Sequence, residues 1–303
     1  MNAVKQIWQD GRRVERTAYV IGAALFAAGL LHAAILLADG GSWVGPLSMR
    51  KAVTFGLSFG LTLASVAWAT SLVRMGDGAR TLLLGAFTVA SVAETALVSM
   101  QAWRGVPSHF NFETSFDMVV SMSLAAGGGV IIVTVIGFTV AALRDPGPLA
   151  PSLRLAVQFG LFILLVALAT GAVMIARGVT LSRGGDPELA YTTAGALKPL
   201  HAVAMHAILV LPGLAWLLRF TRWPEAHRLR VVRVAVAADA VLTAVIGVES
   251  FTGISPLTAP FPLLEASVAA FAILVGTGIY ALYGLTEPRG RLARVSDGKA
   301  RGR

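Results

Sequence analysis

Eight runs of apolar residues, each about as long as a bilayer is thick, leave this chain few folds to choose from. They lie at Ala18–Ala38, Ala52–Val73, Thr81–Trp103, Phe116–Leu143, Leu153–Ala176, Pro199–Phe220, Val231–Val248 and Leu263–Leu285. At a rise of about 1.5 Å per residue, about 17–25 apolar residues cross the hydrocarbon of a membrane. No water is available there for backbone N–H and C=O groups, so each run must pair them within itself and become a helix. The expected fold class is therefore all-α, a polytopic transmembrane helix bundle of about eight helices in one domain over residues 1–303. Composition agrees: 14% of the residues are charged, where a soluble domain carries about 25%. Residues 288–303 are expected to form a basic, disordered tail. The first run follows Arg12, Arg13 and Arg16 as a signal peptide would, but its 21 uncharged residues exceed the about 7–15 of a signal core.

Charge orients the helices. The net charge is +9 and the isoelectric point near 10.8, values that on a soluble chain would suggest nucleic acid. Here the cations sit in short loops and at the C-terminus, so no nucleic-acid partner is expected. With the N-terminus in the cytoplasm, 19 of the 25 Lys and Arg residues fall inside. Only Arg50, Lys51, Arg104, Arg177, Arg183 and Lys198 fall outside. Short loops follow this positive-inside rule. An arginine- and alanine-rich composition adds the expectation of a bacterial cytoplasmic (inner) membrane, with both termini cytoplasmic and the lipid bilayer as the first partner.

Several chemistries are excluded or unsupported. The chain has no cysteine, which removes disulfides, thiolate metal sites and covalent c-type haem. It carries no Walker loop, dinucleotide fingerprint, HExxH pair or GxSxG elbow. This chain alone is therefore no ATP-driven pump, and no catalytic residues can be named. No lysine lies deep enough in a run for a retinal Schiff base.

The polar residues that remain are biased toward the outer half of the membrane. A charge in hydrocarbon costs about 2.5–3.5 kcal/mol on insertion scales and marks a functional site by default. Glu94 and Asp239 are such residues, candidates for carrying protons or pairing with a cation such as Lys51. Lys51 and Lys198 open the second and sixth runs, where snorkelling to headgroups is the bland alternative. The segment Trp103–Asp117 packs Arg104, His109, Asn111, Glu113 and Asp117 into one outer loop, with Thr114 or Ser115 available to cap the next helix. His201 and His206 project about 140° apart and cannot share a helical face. His32 and His206 lie at matching depth, as two axial ligands of a haem or a metal pair would. Pro212 and Gly127–Gly129 are expected to bend their helices or let them pack closely.

The two halves of the chain, 1–147 and 148–287, hint at a direct repeat of four helices. Lys51 corresponds to Lys198 147 residues later, and Asp117 to Glu265 and Gly128 to Gly276 148 residues later. Glu94 and Asp239 occupy related helices at a slightly different offset. A tandem repeat of this kind implies a pseudo-twofold axis along the membrane normal.

Three segments, MRKAVTFGLSFG at 49–60, SHFNFETSFD at 108–117 and KPLHAVAMHAILVLP at 198–212, resemble multi-pass inner-membrane proteins of bacteria whose activity is not established. The resemblance covers short motifs only. It implies that His109, Asn111, Lys198, His201 and His206 are the first residues to mutate. Three functions fit: a proton-coupled transporter or ligand-binding protein for a small molecule or ion with an outward-facing polar site, a haem- or metal-binding redox protein, and a structural or assembly subunit of a membrane complex.

Overall fold

A computed structural model describes residues 3–45, 47–145 and 147–286, and the expected basic tail lies outside them. The described residues form helices α1 (Ala3–Asp10), α2 (Arg13–Ala38), α3 (Arg50–Ser71), α4 (Asp77–Trp103), α5 (Ser115–Arg144), α6 (Pro151–Arg183), α7 (Pro187–Ala196), α8 (Lys198–Leu218), α9 (Glu225–Thr252) and α10 (Phe261–Thr286). Eight of these, all but α1 and α7, are long and apolar enough to cross a membrane. Their large side chains point outward in numbers no water-soluble protein tolerates, Leu37, Val133 and Phe271 among them.

Contacts between helix ends define the two ends of the bundle. At the near end, which holds the N-terminus, Arg12 reaches Asp77, Arg74 reaches Asp145 and Ser152 meets Glu225. At the far end, Trp103 meets His32, Ser182 meets Phe110 and Leu200 meets Ser250. Lipid offers no hydrophobic drive between helices, so close packing must come from small residues. The α2–α3 contact is built that way: Gly22 and Gly29 face Gly60 and Gly56. A Cβ at Gly29 would lie 2.5 Å from the Leu57 amide nitrogen, so even alanine would push the helices apart.

Several helix–helix contacts occur in both halves, although α10 also lies on α8. In the first half α2 and α4 each lie on α3, α2 touches α4, and α4 carries α5. In the second half α6 and α9 each lie on α8, α6 touches α9, and α9 carries α10. Individual contacts recur as well. The Arg80 guanidinium donates to the Val73 carbonyl at 2.7 Å, and 148 residues on Arg228 donates to the Thr221 carbonyl at 2.8 Å. Gly22 packs on the Gly60 backbone and Gly160 on the Ile208 backbone. Where α3 meets α8, matched residues face one another: Trp68 and Trp216, 148 apart, meet edge to face with centroids 6.2 Å apart.

Arg80 also closes the near end. It is 1% exposed and donates to the Thr70 carbonyl as well, while Glu15, equally buried on α2, lies 3.4 Å away. The Glu15 carboxylate additionally accepts from the Arg12 backbone N–H at 2.8 Å. This buried pair ties the starts of α2 and α4 to the end of α3. Removing one member of such a pair strands the other, at a cost of about 3–5 kcal/mol. Arg80→Met should therefore lower the midpoint of thermal unfolding in lipid sharply. Arg74→Met, which breaks an exposed pair, should leave it nearly unchanged. Equal losses in the two variants would contradict the assignment.

Candidate functional site

The far end gathers cations at two helix starts, Arg50 and Lys51 on α3 and Lys198 on α8. Arg50 and Lys51 open α3, where the Ser48 hydroxyl accepts from the Arg50 N–H at 3.1 Å. Lys198 opens α8, which follows α7 after the single residue Leu197. A helix start carries the positive end of the helix dipole, so a cation there costs stability, about 0.3–1 kcal/mol. The chain accepts that cost on two neighbouring helices, and α3 packs directly on α8. Among the described residues no carboxylate comes within 4.0 Å of Lys51 or Lys198.

Two further residues complete the cluster. The Lys51 ammonium stands 5.3 Å from the centroid of the Tyr191 ring on α7, a cation–π contact. The Tyr191 hydroxyl in turn donates to the His109 carbonyl at 3.1 Å. His109 Nδ1 and the Ser108 hydroxyl share a hydrogen bond of 2.9 Å, and the ring leans on Phe55 and Phe110. Burial, then the nearby charges of Lys51 and Lys198, push the His109 pKa down to about 3. Its imidazole is thus neutral near pH 7. Burial, with the Glu113 charge nearby, holds the Tyr191 phenol up at about 12. Lys51 and Lys198 lie near enough to act on the neutral His109 imidazole, while the Arg50 guanidinium donates to the Trp43 carbonyl at 2.8 Å.

The other residues that the sequence points to take different places. Asp117 lies in a clamp: Gln101 donates to its Oδ1 at 2.8 Å, Arg104 at 2.5 Å and Thr114 to its Oδ2 at 2.6 Å. Thr114 also caps α5 by accepting from the Asp117 N–H. Asn111 shapes the loop above it, its N–H donating to Ser121 and its Oδ1 accepting from the Glu113 N–H, while its buried Nδ2 has no partner. Glu94 is 5% exposed, with Oε1 unpartnered against Gly127 of α5. A Cβ at Gly127 would sit 2.5 Å from that oxygen, which is why glycine stands there. Asp239 is buried in α9 with Oδ2 unpartnered.

The histidines separate. His201 turns to α6, its Nδ1 bonded to the Ala167 carbonyl at 2.7 Å. His206 turns to α3 and lines a small cavity of about 30 Å³ with Ser58, Thr62 and Ser65. Both nitrogens of His32 are engaged, Nδ1 with the Ala28 carbonyl and Nε2 with the Trp103 indole N–H. A haem iron needs a free ring nitrogen from each axial histidine, so this arrangement does not fit a His32–His206 pair. Among the described residues no three His, Asp or Glu side chains gather as a metal site would need. A larger depression of about 490 Å³ lies beside the start of α3, lined by Leu36, Asp39, Ser42, Ser48 and Met49 among others.

Comparison of the chain with protein-family models, with curated proteins and with solved structures finds no match. Function must be argued from the helices and their side chains. The chain is a multi-pass helical membrane protein.

Tyr191, Glu15 and the pairing role of Arg80 escaped the sequence reading. Tyr191 sits on a short helix below the length of a span, and Glu15 and Arg80 belong to flanks read only for charge. The His109 environment has a pH consequence. Its folded pKa of about 3 lies below the free value of 6.5, so between these pH values the unfolded chain binds more protons. Stability from neutral His109 is complete above about pH 6.5 and is lost as pH falls toward 3. Unfolding midpoints measured against pH should drop more steeply on acidification for the native chain than for His109→Gln. Parallel curves would contradict the buried, cation-flanked imidazole.

Proposed function

We propose that this membrane protein binds a small anion, of the carboxylate or phosphate class, at the far end of the bundle, and that this end faces outward from a bacterial cytoplasmic membrane. The observation that carries the reading is the placing of Lys51, Lys198 and Arg50 at two neighbouring helix starts where, among the described residues, no carboxylate pairs with them. Cations left unpaired at low dielectric attract an anion strongly. His109, with Nδ1 occupied by Ser108, can present Nε2 to the same ligand. The orientation rests on the distribution of Lys and Arg among the loops.

Glu94 and Asp239 supply the proton side of this proposal. Each has a buried carboxyl oxygen with no partner, and an acid so placed is stable in lipid only when protonated or paired. Two such acids, one on α4 and one on α9, would let the inward passage of an anion be coupled to protons. A purely structural role accounts for Glu15, Arg80 and Asp117, which tie helices to one another. It does not account for lysines without an ion-pair partner at helix starts or for the unpartnered carboxyl oxygens of Glu94 and Asp239.

The test is thermal stabilisation of the chain in nanodiscs of neutral phosphatidylcholine by phosphate, sulfate, acetate or lactate. At least one should stabilise it, with apparent affinity reduced about tenfold or more, about 1.4 kcal/mol, in Lys51→Gln and in Lys198→Gln. Arg177→Gln should keep it. Stabilisation only when the nanodiscs contain anionic lipid would assign the site to a headgroup rather than a free anion. No response to any anion or lipid, or an equal response in the lysine variants, would overturn the reading.

A further inference from the structure

The seam between α3 and α8 carries polar groups that the anion site does not use. His206 lies eight residues after Lys198, about 12 Å along α8, and Thr62 eleven after Lys51, about 17 Å along α3. Both positions are well inside the hydrocarbon. An ionisable side chain at such a depth almost always faces the bundle interior or a water-filled cavity. His206 is instead exposed on the surface of its helix, beside Leu61 of α3, which is 38% exposed. The cleft that these two residues border, lined also by Ser58, Thr62 and Ser65, opens sideways into lipid.

Hydrogen bonds divide the lining. Ser58 and Ser65 donate to carbonyls of their own helix, to Phe55 at 3.5 Å and to Leu61 at 2.8 Å. Thr54 on the same helix does likewise. The Thr62 hydroxyl does not, and among the described residues it has no partner. His206 Nδ1 is bonded to the Ala202 carbonyl at 2.6 Å. A carbonyl can only accept, so Nδ1 carries a proton and Nε2 is the nitrogen left for the cleft. Among the described residues nothing bonds to Nε2.

We propose that this cleft binds the hydroxyl group of a membrane-soluble alcohol or phenol, with His206 Nε2 and the Thr62 hydroxyl as its two partners. Volume sets the kind of group. The cleft, about 30 Å³, matches one water molecule's share of the liquid, room for a hydroxyl but not for a ring or a chain. The rest of the ligand stays in the hydrocarbon, which requires a lipid-soluble molecule. A hydroxyl both donates and accepts, so it completes Nε2 with or without a proton on that nitrogen, and Thr62 in the same way. Without such a partner both groups remain desolvated and unbonded, a state that a bound hydroxyl relieves. Water reaches the cleft only through hydrocarbon, where it is scarce. The site shares no residue with the cation cluster at the far end and stands whether or not that end binds an anion.

Two sources carry this chemistry, an isoprenoid quinol and a diacylglycerol. The test titrates the full chain, in nanodiscs of phosphatidylcholine, with decylubiquinol and separately with dioleoylglycerol, each against its O-methyl ether, and follows thermal unfolding. At least one hydroxyl compound should raise the unfolding midpoint while its ether does not, and the one that does names the source. Apparent affinity should fall about fivefold or more in Thr62→Val and in His206→Phe. Both replacements are apolar and suit a lipid-facing position, and either variant alone decides the matter if the other does not fold. An equal response to the ethers, unchanged affinity in the variants, or no response to either compound would overturn the proposal. So would a disulfide between two copies of Leu61→Cys in lipid, which would place a second chain over the cleft. The natural chain has no cysteine to compete in that experiment.

Discussion

A polar group inside a bilayer cannot fall back on water, and that constraint organises this structure. Backbone donors inside the helices are paired within them, some at helix starts find a side chain instead, as Ser152 and Leu200 do, and most buried hydroxyls bond to a carbonyl one turn back, as Thr70, Ser91 and Thr139 do. The charged groups that remain must find partners or stay neutral. At the near end the buried Arg80 and Glu15 find them. Arg80 spends its guanidinium on two carbonyls at the end of α3 and on Glu15, and Arg228 donates to the Thr221 carbonyl just beyond α8. These two arginines fix how each four-helix set closes, and α3 meets α8 with Trp68 against Trp216 between them.

The far end is treated differently. Loops there are longer, α7 is added between α6 and α8, and the cations outnumber their partners. Asp117 satisfies Arg104, but among the described residues no carboxylate pairs with Arg50, Lys51 or Lys198. A protein gains no stability from like charges at helix starts. The proposed anion would supply the negative charge they lack. The buried acids Glu94, Asp239 and Glu249, each with an oxygen left unpaired, make the complementary point within the membrane. A buried ion pair, Arg80 with Glu15, ties the near end together, while the far end and the helices below it hold cations and acids without such a partner.

Much of this was legible in the sequence, and the physics says why. Spans are written in runs of residues, so the eight apolar segments match α2 to α6 and α8 to α10 to within a few positions at most ends. Helical geometry alone separates His201 from His206, and they do turn to different neighbours, α6 and α3. Depth can be counted along a helix, so Glu94 and Asp239 stood out as intramembrane acids. Direction cannot be counted the same way. Nothing in the spacing says that Trp103 occupies His32, that Gln101 and Arg104 occupy Asp117, or that nothing occupies Glu249. The helices α1 and α7 are too short to show in a search for spans. Arg80 looked like any positive-inside residue until its tertiary partner Glu15 was found.

The central claim, that the outward end holds an unneutralised positive site at α3 and α8, can be tested by the chemistry of a single thiol. The natural chain has no cysteine, so Lys198→Cys introduces one reactive group with Lys51 and Arg50 left in place. Reaction rates with a membrane-impermeant anionic thiosulfonate and with its trimethylammonium analogue should be measured in intact cells and in inverted vesicles. The account predicts labelling from outside only, with the anionic reagent favoured by about tenfold over its rate ratio on a free thiol, a local potential of about 1.4 kcal/mol. Equal rates, a preference for the cation, or labelling from the cytoplasmic side would contradict it.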